Sequence, residues 1–143
     1  MTKLTTIEIA SSDVLNGNKT YLIRARITLP YLVKHAKAGE TVYYSDLAKE
    51  INISNPRSFN FILGAIGNAL KEIDPSIPKI QCIVVNKNSK FPGDGIDGFM
   101  NQKNFSKLNK LEKTQELNRA LSPVFNYQKW DWVLEQFRLE PIS

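Results

Sequence analysis

The segment from residue 39 to residue 96 constrains the fold of this chain more than any other part of the sequence. Gly39 has the position of a helix C-terminus, and Ser45 that of a helix N-cap. The order of patterns predicts a short extended segment at 41–43, a short helix at 45–51 and a turn at 52–55. A longer helix at 56–73, a strand at 80–85 and a turn-rich return at 86–95 are predicted to follow. This order is typical of a helix-turn-helix followed by a two-stranded wing.

The longer helix carries the strongest periodicity. Asn55 as N-cap and Pro56 at the first helical position mark its start. Apolar residues recur at the spacing of a core-facing stripe, at Phe59, Ile62, Leu63, Ile66, Ala69, Leu70 and Ile73. The opposite face carries Arg57, Asn60, Gly64, Gly67, Asn68 and Lys71. Two glycines inside a helix cost about 1 kcal/mol each relative to alanine, so we expect close approach of another helix or of a DNA backbone there.

The flanking segments complete an α+β prediction. Two strands, Thr6–Ala10 and Tyr21–Ile27, are expected on either side of an Asn-Gly-Asn turn, and Thr28 is expected to cap a helix that contains Pro30. Two C-terminal helices follow. The first has Leu111 in its apolar face and is ended by Ser122-Pro123. The second, at 128–137, has an apolar face formed by Trp130, Val133, Leu134 and Phe137. We therefore expect a single domain over 1–143, with N-terminal strands at 1–28, a winged-helix core at 29–100 and C-terminal helices at 103–139.

Composition sets limits on function. The 143 residues carry a net charge of +5, a moderate excess that suits a phosphate-facing surface and is also common elsewhere. The single cysteine, Cys82, and the single histidine, His35, cannot supply a disulfide or a usual zinc ligand set. We expect no cofactor, no metal and no membrane segment, and a cytoplasmic protein. His35 is expected at the surface without a catalytic partner.

The segment 42–85 resembles the winged-helix DNA-binding domain of the alkylguanine-DNA alkyltransferases and their catalytically inactive alkyltransferase-like relatives. The matching residues keep the order of that family's motifs: Val42, Tyr44, Leu47 and Ala48, then Asn55 and Pro56, then Ile66, Gly67, Ala69 and Leu70, then Val84 and Val85. The resemblance implies a helix that enters a groove of DNA. It also implies that Tyr44 contacts a phosphate beside a displaced nucleotide.

The family's catalytic residues are not matched. When Val84 and Val85 are aligned, Gln81 falls on the family's alkyl-accepting cysteine and Cys82 on its histidine. A shift by one residue restores the cysteine but leaves Ile83 in place of the histidine. A thiol without an adjacent base stays protonated and unreactive, so Cys82 is interpreted as a buried apolar residue. The family's intercalating arginine is replaced by Gly64 or, in a second register, by Asn60.

The run from Ile77 to Lys87, with Pro92-Gly93-Asp94-Gly95, also resembles modules of bacterial restriction and HNH-nuclease proteins. The chain lacks the histidines of an HNH site. Cleavage of nucleic acid would need other groups, such as Asp94 and Asp97, and aspartate in a glycine-rich turn is expected for turn formation alone.

The sequence thus favours a non-catalytic DNA-binding protein that recognises DNA or modified bases in a restriction or defence context, with double-stranded DNA as its expected partner. The expected DNA-binding residues are Tyr44, Ser45, Arg57, Ser58, Asn60, Asn68, Lys71, Lys87 and Lys90. Arginine and asparagine suit base edges, whereas lysines suit phosphates. Two alternatives stay open: an enzyme that acts on DNA through Cys82 or as a nuclease, and a subunit that binds a protein partner through its C-terminal helices.

Overall fold

The structure is a computed structural model that describes residues 20–53, 59–93 and 105–142. These ranges are mostly helical and contain a small two-stranded parallel sheet, a mixed α and β arrangement. The helices are α1 (Thr20–Lys37), α2 (Tyr44–Glu50), α3 (Phe59–Ile73), α4 (Lys110–Asn126) and α5 (Trp130–Gln136). The strands are β1 (Val42–Tyr43) and β2 (Val84–Val85), and 3-10 helices cover Ile80–Ile83 and Phe105–Lys107. The predicted strand Thr6–Ala10 lies outside the described residues.

Helix α1 corrects the prediction of a strand at Tyr21–Ile27. Its buried residues recur at helical spacing from Ala25 onwards, through Thr28, Leu29, Leu32, Val33 and Ala36. Ile23 and Ile27, which produced the alternating pattern, are 50% and 48% exposed on the outer side of the helix. Tertiary packing of the Ala25 stripe therefore outweighs the β-propensity of two surface isoleucines.

A further expectation for this helix was wrong. Thr28 is not an N-cap: it lies in the middle of α1, where its buried hydroxyl donates to the carbonyl of Arg24 over 2.7 Å. On the same helix, the Nη1 atom of Arg26 is buried with no hydrogen-bond partner among the described residues. This burial lowers the pKa of the Arg26 guanidinium. At the other end Gly39 has a φ of 72°, which confirms its predicted role at the helix C-terminus.

Strands β1 and β2 pair in parallel, with Val42 opposite Val84 and Tyr43 opposite Val85. The prediction of a strand over the whole of 80–85 is wrong in its first part, since Ile80–Ile83 form a 3-10 helix. All six residues are nevertheless buried, as their apolar character predicts. Strand β1 is only two residues long, so it cannot pair with Ile80–Ile83 as well. The backbone of Ile80–Ile83 forms hydrogen bonds within its own 3-10 turn instead.

Helix α2 begins directly after β1. Its N-cap is Tyr43, whose side chain makes no capping bond, so the predicted capping role of Ser45 is wrong. The helix ends at Glu50, and Asn52, just beyond the C-cap Ile51, has a φ of 58°. The N–H of Ile53 donates to the carbonyl of Ala48 over 2.8 Å. Such a bond after a left-handed residue is a Schellman ending, which asparagine tolerates better than most residues. Residues 54–58, with the predicted cap Asn55-Pro56, lie outside the described ranges.

Helix α3 supplies the centre of the core. Its predicted stripe is buried from Phe59 to Leu70, while Ile73 is partly buried and packs against the core. Fully burying a side chain such as Phe59 or Ile62 contributes roughly 1.5–3 kcal/mol, so the stripe fixes which side of α3 faces outward. α3 packs against α1 and against the 3-10 helix that precedes β2.

The C-terminal helices cover the other side of α1. α4 starts at a capping box in which Asn109 accepts from the N–H of Glu112 and the Glu112 carboxylate accepts from the N–H of Asn109. It continues through Pro123 to Asn126, so the predicted stop at Ser122-Pro123 is wrong, and Leu111 is exposed rather than part of its apolar face. The predicted apolar face of α5 is confirmed: Trp130, Val133, Leu134 and Phe137 are all buried.

Candidate functional site

The exposed face of α3 is the first part of the candidate site. Its outward residues recur three and four positions apart, so they lie along one line of the helix: Phe61, Gly64, Asn68 and Lys71. Phe61 is 67% exposed, an unusual exposure for a phenylalanine next to a well-packed stripe. Asn68 and Lys71 are exposed as predicted, and we refer to these four residues as the α3 face.

Gly64 has no packing reason among the residues that the structure describes. A Cβ built on Gly64 meets no heavy atom within 4 Å in the described structure. No neighbouring helix therefore requires the glycine, although a mid-helix glycine costs about 0.5–1 kcal/mol relative to alanine. Gly67 differs, because it is buried and so does not belong to the outward face on which it was predicted.

The loop from Asn86 to Gly93 is the second part of the site. The N–H of Asn86 donates to the carbonyl of Phe91, and the N–H of Lys90 donates to the carbonyl of Asn86, each over 2.8 Å. Lys90 has a φ of 68°, which closes the loop tightly. The described part of the return, from Phe91 to Gly93, contains no second strand, and the rest of the predicted wing lies outside the described residues.

Two tyrosines at the start of α2 attach this loop to the helices. Lys90 Nζ donates to the hydroxyl of Tyr43 over 2.7 Å and lies 4.6 Å from the centre of its ring. The neighbouring Tyr44 accepts from the N–H of Gly93 and packs edge-on against Phe59 of α3, with ring centres 5.7 Å apart. Burial raises the pKa of the Tyr44 hydroxyl, which keeps its proton as a donor.

The structure thus brings some of the predicted site residues together and separates others. Tyr44 is the first residue of α2, and Lys90 bonds to Tyr43 just before it. Ser45 is exposed next to Tyr44, and Lys87 is exposed at the turn of the loop. Asn68 and Lys71 lie one turn apart on α3. Arg57 and Ser58 lie outside the described residues, as does the side chain of Asn60.

Cys82 is fully buried, as predicted. Burial raises the pKa of its thiol to about 12, which leaves almost no thiolate at neutral pH. His35 does not supply a base to it: Nδ1 of His35 lies 3.4 Å from Glu40 and Nε2 lies 3.1 Å from Glu50. His35 is therefore not the partnerless surface residue that we expected from the sequence. An alkyl-accepting role for Cys82 has no geometric support in the described residues.

The other route to catalysis is a carboxylate site. Asp94 and Asp97 lie outside the described residues. Within those residues, no group of three or more His, Cys, Asp or Glu side chains is placed to hold a metal ion. None of the described helices is both long and apolar enough to cross a membrane.

A cavity of about 360 Å³ lies at the C-terminal half of α3, and the sequence did not predict it. Its wall is formed by Gly67, Asn68, Leu70, Lys71, Pro75, Ile77, Pro78, Lys79 and Gln81. Gln81 is 2% exposed and its Oε1 atom is buried with no hydrogen-bond partner among the described residues. The one indication in the sequence was that Gln81 is the only polar residue of an otherwise apolar run.

The turn that closes the cavity is held by Asp74. Its carboxylate accepts from the N–H of Ser76 over 2.9 Å and from the Ser76 hydroxyl over 2.8 Å. These two bonds lower the pKa of Asp74 below its ordinary value, so the acid is engaged in the turn at neutral pH. The segment 74–79 therefore has a defined position opposite α3.

No family model, curated protein or solved structure matches the chain.

Proposed function

We propose that this chain binds double-stranded DNA without catalysing a reaction on it. The α3 face would meet a groove, and the loop from Asn86 to Gly93 would act as a wing on the neighbouring phosphates. The single observation that carries the proposal is Gly64, partly exposed on the outward side of α3, for which the described residues give no packing reason. Because glycine has no side chain, a DNA strand or groove wall could approach the helix backbone closely at this position.

The chemistry of the α3 face supports this use. Asn68 offers an amide that can bond bidentately to an adenine edge, and Lys71 offers a charge for a phosphate. Phe61 adds an exposed apolar ring. The net charge of +5 gives a favourable but moderate electrostatic contribution.

The contacts at the start of α2 support the wing. Lys90 reaches Tyr43, and Gly93 reaches Tyr44, so the loop is held against the helix pair rather than left to move independently. Lys87 stays exposed at the turn of that loop. The winged-helix character and the likeness to alkyltransferase-like proteins are parts of this proposal, as is a restriction or defence context.

Buried Cys82 favours binding over catalysis. A thiol with a pKa of about 12 is a poor nucleophile at neutral pH. We therefore retain the alkyltransferase resemblance for DNA binding and not for alkyl transfer.

The test is a fluorescence-anisotropy titration of labelled duplex DNA at two or more salt concentrations. A Lys71→Ala, Lys87→Ala double variant is compared with wild type, and a Lys110→Ala, Lys129→Ala double variant serves as the control with the same charge change at exposed positions. If both lysines contact phosphates, the slope of log affinity against log salt falls by about 1.8. Equal binding and equal slopes for the two double variants would contradict the proposed interface.

A second candidate function is a protein-binding subunit. Leu111 and Trp132 are large apolar side chains exposed on α4 and α5, where a partner surface could bury them. Failure to bind any duplex, together with reduced partner capture by Trp132→Gln, would favour this function over DNA binding.

A further inference from the structure

The outer side of α1 exposes two isoleucines that the proposed DNA interface does not use. Ile23 and Ile27, one turn apart, are 50% and 48% exposed, and Tyr31, one further turn along, is partly buried. Side chains four positions apart form a continuous ridge on a helix surface, so we refer to these three residues as the α1 ridge. The opposite side of α1 is buried in the core, which gives the ridge a fixed base.

The α1 ridge is flanked by positive charge alone. Arg24 lies three positions before Ile27, and Lys34 lies seven positions after it, so both belong to the same face of the helix. Neither side chain pairs with a carboxylate among the described residues, whereas Lys37 is already paired with Asp131 over 2.8 Å. Because α1 contains no Asp or Glu, nothing within the helix compensates the charges of Arg24 and Lys34.

The apolar ridge and its cationic border together indicate the chemistry of a partner. Protein interfaces place apolar contacts at their centre and polar contacts at their rim. The ridge of one helix packs into a groove of another helix, whose own apolar side chains recur three and four positions apart. Carboxylates on either side of that apolar stripe would lie near Arg24 and Lys34 and would compensate their charges. The α1 ridge is therefore complementary to an acidic amphipathic helix.

Other occupants match this surface less well. Phosphates of a nucleic acid would pair with Arg24 and Lys34 but would leave the two isoleucines exposed to water. A membrane surface favours a helix whose cations lie opposite its apolar residues, whereas on α1 both lie on one face. A second copy of the chain would bring two α1 ridges together, and this contact would oppose positive charges only.

We propose that the α1 ridge binds an amphipathic helix of a partner protein whose apolar stripe is flanked by Asp and Glu. The stripe packs on Ile23, Ile27 and Tyr31, and the flanking carboxylates pair with Arg24 and Lys34. This proposal goes beyond DNA binding and does not rest on it. It also uses a different helix from the exposed apolar residues of α4 and α5.

The probe is the labelled peptide acetyl-Glu-Glu-Leu-Ala-Glu-Leu-Leu-Glu-Ala-Leu-Glu-Glu-Leu-Leu-Glu-Glu-amide, titrated with the full chain and followed by fluorescence anisotropy. One control peptide has Gln in place of every Glu, which removes the charge. A second control has Ser in place of every Leu, which removes the apolar stripe. We expect saturable binding of the acidic peptide, and at least about threefold weaker binding of each control, because each lacks one of the two kinds of contact.

Variants at exposed positions locate the binding. Ile23→Gln and Ile27→Gln should each weaken the acidic peptide about fivefold, because about half of each side chain is available for burial by the partner. Lys34→Gln should weaken the acidic peptide about threefold and leave the Gln peptide unchanged. The matched controls, Leu111→Gln and Lys110→Gln, are exposed on α4 and should not change the binding of the acidic peptide.

The proposal is overturned if the acidic peptide does not bind saturably, or if it and either control peptide bind equally. Weaker binding in Leu111→Gln but not in Ile27→Gln would move the site to α4.

Two further measurements test the other occupants. Binding to phosphatidylserine vesicles that is lost in Ile23→Gln would assign the ridge to a membrane instead. Sedimentation that shows a dimer of the wild-type chain, and a monomer of Ile27→Gln, would assign it to a second copy. Because none of these measurements uses duplex DNA, their failure is distinguishable from failure of DNA binding.

Discussion

The hydroxyl of Tyr44 accepts a hydrogen bond from the backbone N–H of Gly93 over 3.3 Å, across 49 positions of sequence. The same ring packs edge-on against Phe59 at the start of α3. Tyr44 therefore links the loop after β2 to the first turn of the long helix. The resemblance to alkyltransferases predicted this tyrosine as a phosphate contact, whereas in the chain by itself its hydroxyl already has a structural partner.

We predict that Tyr44→Phe loosens the loop without unfolding the chain. The ring and its contact with Phe59 are kept, and the loss of one partly buried hydrogen bond should lower the free energy of unfolding by about 0.5–1.5 kcal/mol. Hydrogen exchange of the Gly93 amide should become faster, while amides of α1 and α3 exchange as before. Tyr43→Phe is the matched control, because it removes the hydrogen bond from Lys90 and leaves the Gly93 bond. Unchanged Gly93 exchange in Tyr44→Phe would contradict the assignment.

The sequence predicted buried surfaces better than it predicted backbone conformation. The stripe of α3, the face of α5 and the burial of 80–85 all followed from apolar spacing alone. The errors lie where local pattern and tertiary packing disagree. Ile23 and Ile27 suggest a strand only when their burial is assumed, and nothing in the spacing shows that Ala25 and Thr28 are buried instead.

The same reasoning explains why the cavity was missed. Its wall comes from α3, the turn 74–79 and the 3-10 helix that begins at Ile80, and their relative placement is a tertiary property. If Ile80–Ile83 formed a strand, their side chains would alternate between two faces, and Gln81 would lie on the opposite face from Ile80 and Cys82. Gln81 was visible as a polar exception, but the absent hydrogen bond that makes it informative appears only in three dimensions.

Cys82 should make the stability of the chain fall at high pH. The ordinary thiol pKa of 9.0 is raised to about 12 by burial, so the folded state holds the proton more tightly than the unfolded state. The stability from this difference is fully present below pH 9 and is lost as pH rises towards 12, by about 1.4 kcal/mol per pH unit. Wild type and Cys82→Ala should therefore converge in free energy of unfolding between pH 9 and 11, as measured by urea titration.

The same burial predicts low thiol reactivity. At about pH 7.5 an aromatic disulfide reagent should label Cys82 only slowly in the folded chain. In about 6 M guanidinium, which unfolds most domains, the same reagent should label Cys82 rapidly. Rapid labelling of the folded protein would contradict the buried, unreactive state and reopen the enzymatic alternative.

His35 connects two glutamates unequally. Its Nε2 lies 3.1 Å from Glu50, whose side chain is 29% exposed, and its Nδ1 lies 3.4 Å from Glu40, whose side chain is 60% exposed. Glu50→Gln should therefore lower the free energy of unfolding more than Glu40→Gln, each by no more than about 1 kcal/mol, since partly exposed ion pairs contribute little. Urea titrations of both variants in one buffer measure the difference, and a larger effect for Glu40→Gln would show that the bridge to α2 is not the stronger one.

Gly64→Ala separates folding from binding in one substitution. Apart from the backbone of α3 itself, no described atom lies within 4 Å of the added Cβ. Alanine also favours a helix over glycine, so the free energy of unfolding should rise by about 0.5–1 kcal/mol. If DNA approaches the helix backbone at Gly64, the same methyl group should weaken duplex binding, so that the variant is more stable and binds less tightly. Asn118→Ala, at an exposed position of α4, is the control: it should raise helix stability in the same direction and leave DNA affinity unchanged. A Gly64→Ala protein that gains stability and keeps full affinity would remove the observation on which the proposed DNA interface rests.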